Sequence, residues 1–207
     1  MSIFSSKNSL IMISTDIQSH EQLKECVNDN VLVFLYNKSW SYENFMAELT
    51  GCLETAKIQE NSLELVGWVF HGFNVDKPDP DVKARIIFNL VADHNIILND
   101  KSNLTQYQHL VDFILFVKKY MKTDRFDLIS CCLLGNPYFT HVHQLLTMTT
   151  DLKFASSDDI TGNTSLGDWI LESDDVNLIG TYFKPDTNEK LSNIAIELYF
   201  RNDSPCM

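Results

Sequence analysis

Leu63-Glu-Leu-Val-Gly-Trp-Val-Phe70, followed at once by His71-Gly72, is the stretch on which the fold reading turns. It is short, rich in aromatic and β-branched residues, and stops at a His-Gly, the pattern of a buried strand that ends in a turn. A second apolar run, Phe126-Asp-Leu-Ile-Ser130, stops at Cys131-Cys132. If the two strands lie parallel in one sheet, their carboxyl ends share an edge, and open α/β sheets place their functional sites along that edge. An imidazole and a thiol then face each other. Such a His can lower the thiol pKa and later protonate a leaving group.

Outward from these runs, strands alternate with helices. Leu10 to Ser14 and Val31 to Tyr36 read as strands, and Ser19-His-Glu-Gln22 has the capping-box spacing that opens a short helix between them. Ser41 caps a longer helix whose Phe45, Leu49, Cys52, Leu53 and Ala56 form one apolar face. Asn74 to Pro80 reads as a loop, and Val82 to Asn99 fits a strand pair or a helix equally. Thr105 opens a helix that carries Leu110, Val111, Ile114, Val117 and Met121 on one side. Asn136-Pro137 caps another that buries Val142, Leu145 and Leu146, and Leu152 to Ser156 is a short strand. Beyond it, Ile160 to Trp169, Val176 to Phe183 and Ile194 to Phe200 read as loops and hairpin strands. The pattern predicts one α/β domain over 1–207, with a mostly parallel central sheet, helices on both faces and a β-rich C-terminal portion.

Composition narrows the partners. The 28 acidic side chains against 16 basic ones give a net charge of −12, which repels phosphate backbones and anionic lipid and predicts no nucleic-acid partner. No apolar run has the length of a membrane span, and the N-terminus lacks the pattern of a secretory signal. Five irregularly spaced cysteines suit a reducing compartment, so a cytoplasmic or otherwise intracellular protein is expected. No Gly-rich phosphate loop appears, and no cofactor is expected. His141 and His143 are two apart, which puts them on different helix faces, so no metal site is expected either. Trp68 and Trp169 read as core and rim residues, and Glu172 to Asp175 as a solvated acidic turn.

Val69-Phe-His-Gly72 and Leu128-Ile-Ser-Cys-Cys132 resemble the two strand ends of the caspase-like clan of cysteine peptidases. Phe154-Ala-Ser-Ser-Asp158, Thr161-Gly162 and Leu166-Gly-Asp-Trp-Ile-Leu-Glu172 are similar to a series in a caspase-like domain found near the start of large bacterial repeat-containing surface proteins. The resemblance covers about residues 30 to 183. It implies a three-layer sandwich, with His71 as general acid or base and Cys132 as nucleophile. The backbone N–H groups of Gly72 and Cys132 would line an oxyanion hole. The family usually has Ser before its histidine and Gly before its cysteine, where this chain has Phe70 and Cys131.

Two functional expectations follow. In the first, Cys132 attacks the carbonyl of a protein or peptide substrate, His71 protonates the departing amine, and water releases the acyl-enzyme. Asp158 and Asp159 lie just past the strand beside the nucleophile strand, a place that in the clan this chain resembles contributes to the pocket for the residue before the scissile bond, so the resemblance implies a pocket favouring Lys or Arg; their plainer reading is as solvated turn residues. In the second, motivated by Phe70 and Cys131, the fold is catalytically silent. It would then serve as a self-assembling homo-oligomeric or protein-interaction module, with Ile194 to Phe200 as a pairing edge.

Overall fold

The computed structural model describes residues 7–74, 86–91, 94–98, 107–131, 133–134, 137–163, 167–191 and 194. In chain order, β1 (Ser9–Ser14) leads through α1 (His20–Cys26) to β2 (Val31–Tyr36), and α2 (Tyr42–Thr55) leads on to β3 (Leu65–Val69). Three strands come next: β4 (Gly72–Asn74), β5 (Ile86–Val91) and β6 (His94–Leu98). They are followed by α3 (Gln108–Lys118), β7 (Arg125–Ile129), α4 (Pro137–Thr150) and β8 (Lys153–Ser156).

The central sheet has the order β2-β1-β3-β7-β8, and every pairing in it is parallel. All six residues of β1 are buried, as a strand flanked on both sides and covered on both faces requires. β2, at one edge, alternates between buried and half-buried positions. Side chains from alternate strand positions feed two separate cores. Met12, Tyr36, Trp68 and Phe126 pack under Phe45 and Leu49 of α2, Phe113 of α3 and Val142 of α4. Ile11, Ile13, Val69 and Ile129 pack under Leu23 and Cys26 of α1 and under the C-terminal segment. The chain is thus an α/β protein with a five-stranded parallel sheet between two layers of helices.

Aromatic rings fill the larger core. The rings of Phe45 and Phe113 meet edge to face with centroids 5.3 Å apart, Phe45 meets Tyr36 at 5.2 Å, and Trp68 meets Phe113 at 5.5 Å. Such pairs add roughly 0.5–1.5 kcal/mol each beyond the area they bury. Ser41 starts α2 as expected, its hydroxyl accepting from the N–H of Asn44 at 3.2 Å. Ser19 differs: α1 forms, but Ser19 makes no side-chain cap bond, because its φ and ψ of −102° and 20° are not the extended values from which a cap hydroxyl reaches inward.

The stretch that fits either a strand pair or a helix is, over its described part, a strand pair. β5 and β6 are antiparallel, and β4 joins them through Gly72↔Phe88. The loop expected over Asn74 to Pro80 and the caps expected at Thr105 and Asn136 fall, apart from Asn74, outside the described residues.

The C-terminal portion is mixed rather than β-rich over its described part. The pairs β9 (Ile160–Thr161) with β10 (Gly167–Asp168) and β11 (Ile170–Leu171) with β12 (Val176–Asn177) are two residues long. Within Val176 to Phe183, read as loops and hairpin strands, β12 ends at Asn177. The Asn177 side chain accepts from the N–H of Ile179 at 2.9 Å, and Gly180 takes a φ of +88°, so the chain turns through the short kinked segment α5 (Leu178–Thr181), in which Ile179 and Gly180 are not helical. A second short helix, α6 (Asn188–Leu191), follows. The edge expected at Ile194 to Phe200 lies outside the described residues beyond Ile194.

Candidate active site

The strand order sets where the chain can build a site. From β1 the chain leaves to α1 on one face of the sheet, whereas α2, α3 and α4 all lie on the other face. Neighbouring β1 and β3 therefore form the point where the winding reverses, and it is at such a point, outside the carboxyl ends of the strands, that open α/β sheets place their binding crevice. His71 stands two residues beyond the end of β3, at that point, and is 7 % exposed.

On the other side of His71 is β7. The two strands are in register to Val69↔Ile129, and the N–H of Phe70 donates to the carbonyl of Ile129 at 3.3 Å. Phe70-His71 and Ser130-Cys131 thus leave the sheet side by side. Cys131 is buried with Val69 and Ile129 on the α1 face. Cys132 lies outside the described residues, and Gly72 opens β4. Phe70 does not stand over the edge. Its ring turns into the larger core and stacks on Trp68 with centroids 4.2 Å apart.

A polar network that the sequence reading missed lies on the β1 side of His71. Asp16 follows β1 and pairs with Lys38, which follows β2, at 2.5 Å; the Ser14 hydroxyl donates to the other oxygen of the same carboxylate. Burial alone would push Asp16 up. Hydrogen bonds from Lys38 and Ser14, with the charges of Lys38 and His71, outweigh it and hold the carboxyl below its ordinary range. The Trp68 indole N–H donates to the Tyr36 hydroxyl at 2.8 Å, and Tyr36 in turn reaches Ser14. The indole N–H donates to Tyr36 and the Ser14 hydroxyl donates to Asp16, as an indole that can only donate and a carboxylate that can only accept require. Burial raises Tyr36 well above the usual phenol range, so it stays a neutral link. The available signal was Ser14-Thr15-Asp16 at the end of a predicted strand, on the edge already assigned to His71.

Asp158 and Asp159 follow β8, the other neighbour of β7. The N–H of Leu134 donates to the carbonyl of Ser157 at 3.1 Å, tying the loop after β7 to the end of β8. Asp158 donates its N–H to Glu172 at 2.9 Å, and the Ser157 hydroxyl contacts the Asp159 carboxylate at 3.2 Å. The three carboxylates of Asp158, Asp159 and Glu172 approach within 4.8 Å of one another. Burial first, then the charge of Glu172, pushes Asp159 up to about 6; Asp168 and Asp158 add to the rise and the Ser157 hydrogen bond opposes it.

The motif between Thr161 and Glu172 is a scaffold in its described part. Gly162 holds a φ of +140°. A Cβ on Gly167 would lie 1.8 Å from the carbonyl oxygen of Ile160, so β9 and β10 can approach only through glycine. Asp168 accepts from the N–H of Ile170 at 2.7 Å, and Trp169 is buried against Phe183. His143 hydrogen-bonds the carbonyl of Phe154 at 3.0 Å and His141 is exposed, the separation of faces expected for residues two apart. Trp68 is fully buried and Trp169 nearly so. Glu172 to Asp175 forms a turn as expected, and its Ser173 also accepts the N–H of Ser156 at 2.9 Å.

Against known proteins, the chain matches no family model, no curated protein and no solved structure. Among the described residues no helix is long and apolar enough to cross a membrane.

Proposed function

We propose that this chain is a cysteine peptidase of caspase-like architecture in which His71 and Cys132 act as a dyad. The reading is supported chiefly by the adjacency of β3 and β7 in a parallel sheet, which sends the Phe70-His71 and Ser130-Cys131 segments off the same edge side by side. A thiolate at Cys132 attacks the peptide carbonyl, and the imidazolium of His71 gives its proton to the leaving amine. Water, giving a proton to the now neutral His71, then releases the acyl group as the acid and restores the Cys132 thiolate beside the His71 imidazolium. The inward turn of Phe70 leaves the approach from the edge to the loops. The acids after β8 give a peptide side chain beside that edge a negative environment, suited to Lys or Arg.

Residue-resolved alkylation by a mild electrophile across pH tests the dyad. Labelling of Cys132 well below the ordinary thiol range, lost in His71→Ala, is expected. Labelling of Cys132 no faster than that of Cys206 would overturn the dyad and leave the silent interaction module as the reading.

A further inference from the structure

We propose that Asp16, anchored by Lys38 and Ser14 at the reversal point of the sheet, is a positioning residue that holds His71 in its protonated, proton-donating form. This deepens the dyad reading and rests on His71 being its acid–base member. Three observations lead to it. The register Ile13↔Val69 makes β1 and β3 neighbours up to their carboxyl ends, so the segments Ser14 to Asp16 and Phe70 to His71 leave the sheet side by side. The carboxylate is fixed by two side-chain partners: Lys38 at 2.5 Å and the Ser14 hydroxyl. Asp16 is largely shielded from solvent, with 16 % of its side chain exposed, and its charge interacts with that of His71.

Linkage makes such an interaction reciprocal: whatever the imidazolium does for the carboxylate, the carboxylate does for the imidazolium. The other described titratable groups past the carboxyl ends of the central strands include Tyr36, which ends β2, Lys38 just after it, Cys131 after β7, and Asp158 and Asp159 after β8 with Glu172 beside them; β3 itself carries none. Arg125 and Asp127 sit further down β7 and pair with each other. Lys38 is the opposing element. Its charge is shared with Asp16 and offsets the field that reaches His71, so the two residues pull the ring in opposite directions.

The test is the titration midpoint of the His71 ring resonances in the full chain, read by NMR for the parent, Asp16→Asn and Lys38→Met. Asp16→Asn is expected to lower the midpoint by about half a pH unit or more, and Lys38→Met to raise it. Generic loosening of the fold would not give opposite signs. A midpoint unmoved by Asp16→Asn overturns the proposal. Should that variant fail to fold, the partly exposed Lys38→Met decides alone: a rise supports the assignment and no change overturns it. These outcomes are independent of Cys132. If the midpoints move while Cys132 remains inert, the dyad has failed and the Asp16–His71 coupling stands.

Discussion

Tyr182 donates a 2.7 Å hydrogen bond to the Asp127 carboxylate, and its ring reaches that carboxylate by lying over Gly67, the residue paired with Asp127 on the next strand. Asp127 is fully buried and also accepts from Arg125 at 2.9 and 3.2 Å. Burial still pushes its carboxyl above the ordinary range, although the charge of Arg125 and the hydrogen bonds from Tyr182 and Arg125 oppose the rise. This clamp fixes the C-terminal segment to the sheet. Tyr182→Phe keeps the ring and removes one bond to a buried charge, so it should cost about 1.5–3 kcal/mol, read as a lower urea midpoint at unchanged slope.

Two glycines should answer substitution with opposite signs. At Gly67 a Cβ would lie 2.9 Å from Cδ1 of Ile129 and 3.0 Å from Cζ of Tyr182, both in a packed layer. Gly67→Ala should destabilise by roughly 1–3 kcal/mol, and an added Ile129→Val should recover part of that loss. Gly51 lies on the exposed side of α2 with nothing within 4 Å of a Cβ. Gly51→Ala should stabilise by about 0.5–1 kcal/mol. Thermal melts of the two variants, run side by side, check both signs.

The acids after β8 make stability depend on pH. The folded state raises Asp159 from an ordinary value of 3.8 to about 6. Between those limits it binds the proton more tightly than the unfolded chain does, so this group's contribution falls as pH rises from about 4 to 6 and is lowest above that. Asp159→Asn removes the titration while keeping an acceptor for Ser157. It should therefore raise Tm more at pH 7.5 than at pH 4.5, and equal shifts at the two pH values would contradict the assignment.

The elements that declare themselves in the sequence are those whose burial is continuous. β1, β3 and β7 are apolar runs because both faces are covered, and the apolar face of α2 follows from its packing on Tyr36 and Trp68. Adjacency of β3 and β7 is compatible with the spacing of their runs, although the connection holds β4, β5 and β6 as well as the helix α3. Asp16 was not legible. Its role comes from Lys38, Ser14 and His71, which the fold gathers from the ends of three strands, and no local spacing encodes that meeting. The C-terminal portion, expected to be β-rich, is mixed for a related reason. Val176 to Phe183 carries strand-like residues, but the Asn177 side chain and the positive φ of Gly180 divert the backbone after two residues. Gly167 and Asp168 carry a motif whose reason is steric and local, a close strand approach and a turn bond, rather than catalytic.

Substrate choice tests how the acids after β8 relate to the proposed dyad. Asp158, Asp159 and Glu172 place three carboxylates together, next to a segment that Leu134 and Ser157 tie to the loop after β7. A side chain seated there exchanges water for negative charge, which favours Lys and Arg before the scissile bond. In a panel of peptides differing only at that position, kcat/KM should be highest for Arg or Lys, and Asp158→Asn or Asp159→Asn should lower it about tenfold, the equivalent of one lost charge pair of ~1.4 kcal/mol. The pH dependence carries its own sign. Because Asp159 titrates at about 6, the advantage of Arg over an uncharged residue should shrink as pH falls below that value and persist above it. Asp159→Asn should leave the ratio flat over the same range. A parent enzyme that prefers Asp or an apolar residue would remove these acids from the substrate pocket and return them to the surface of the turn, with the dyad untouched.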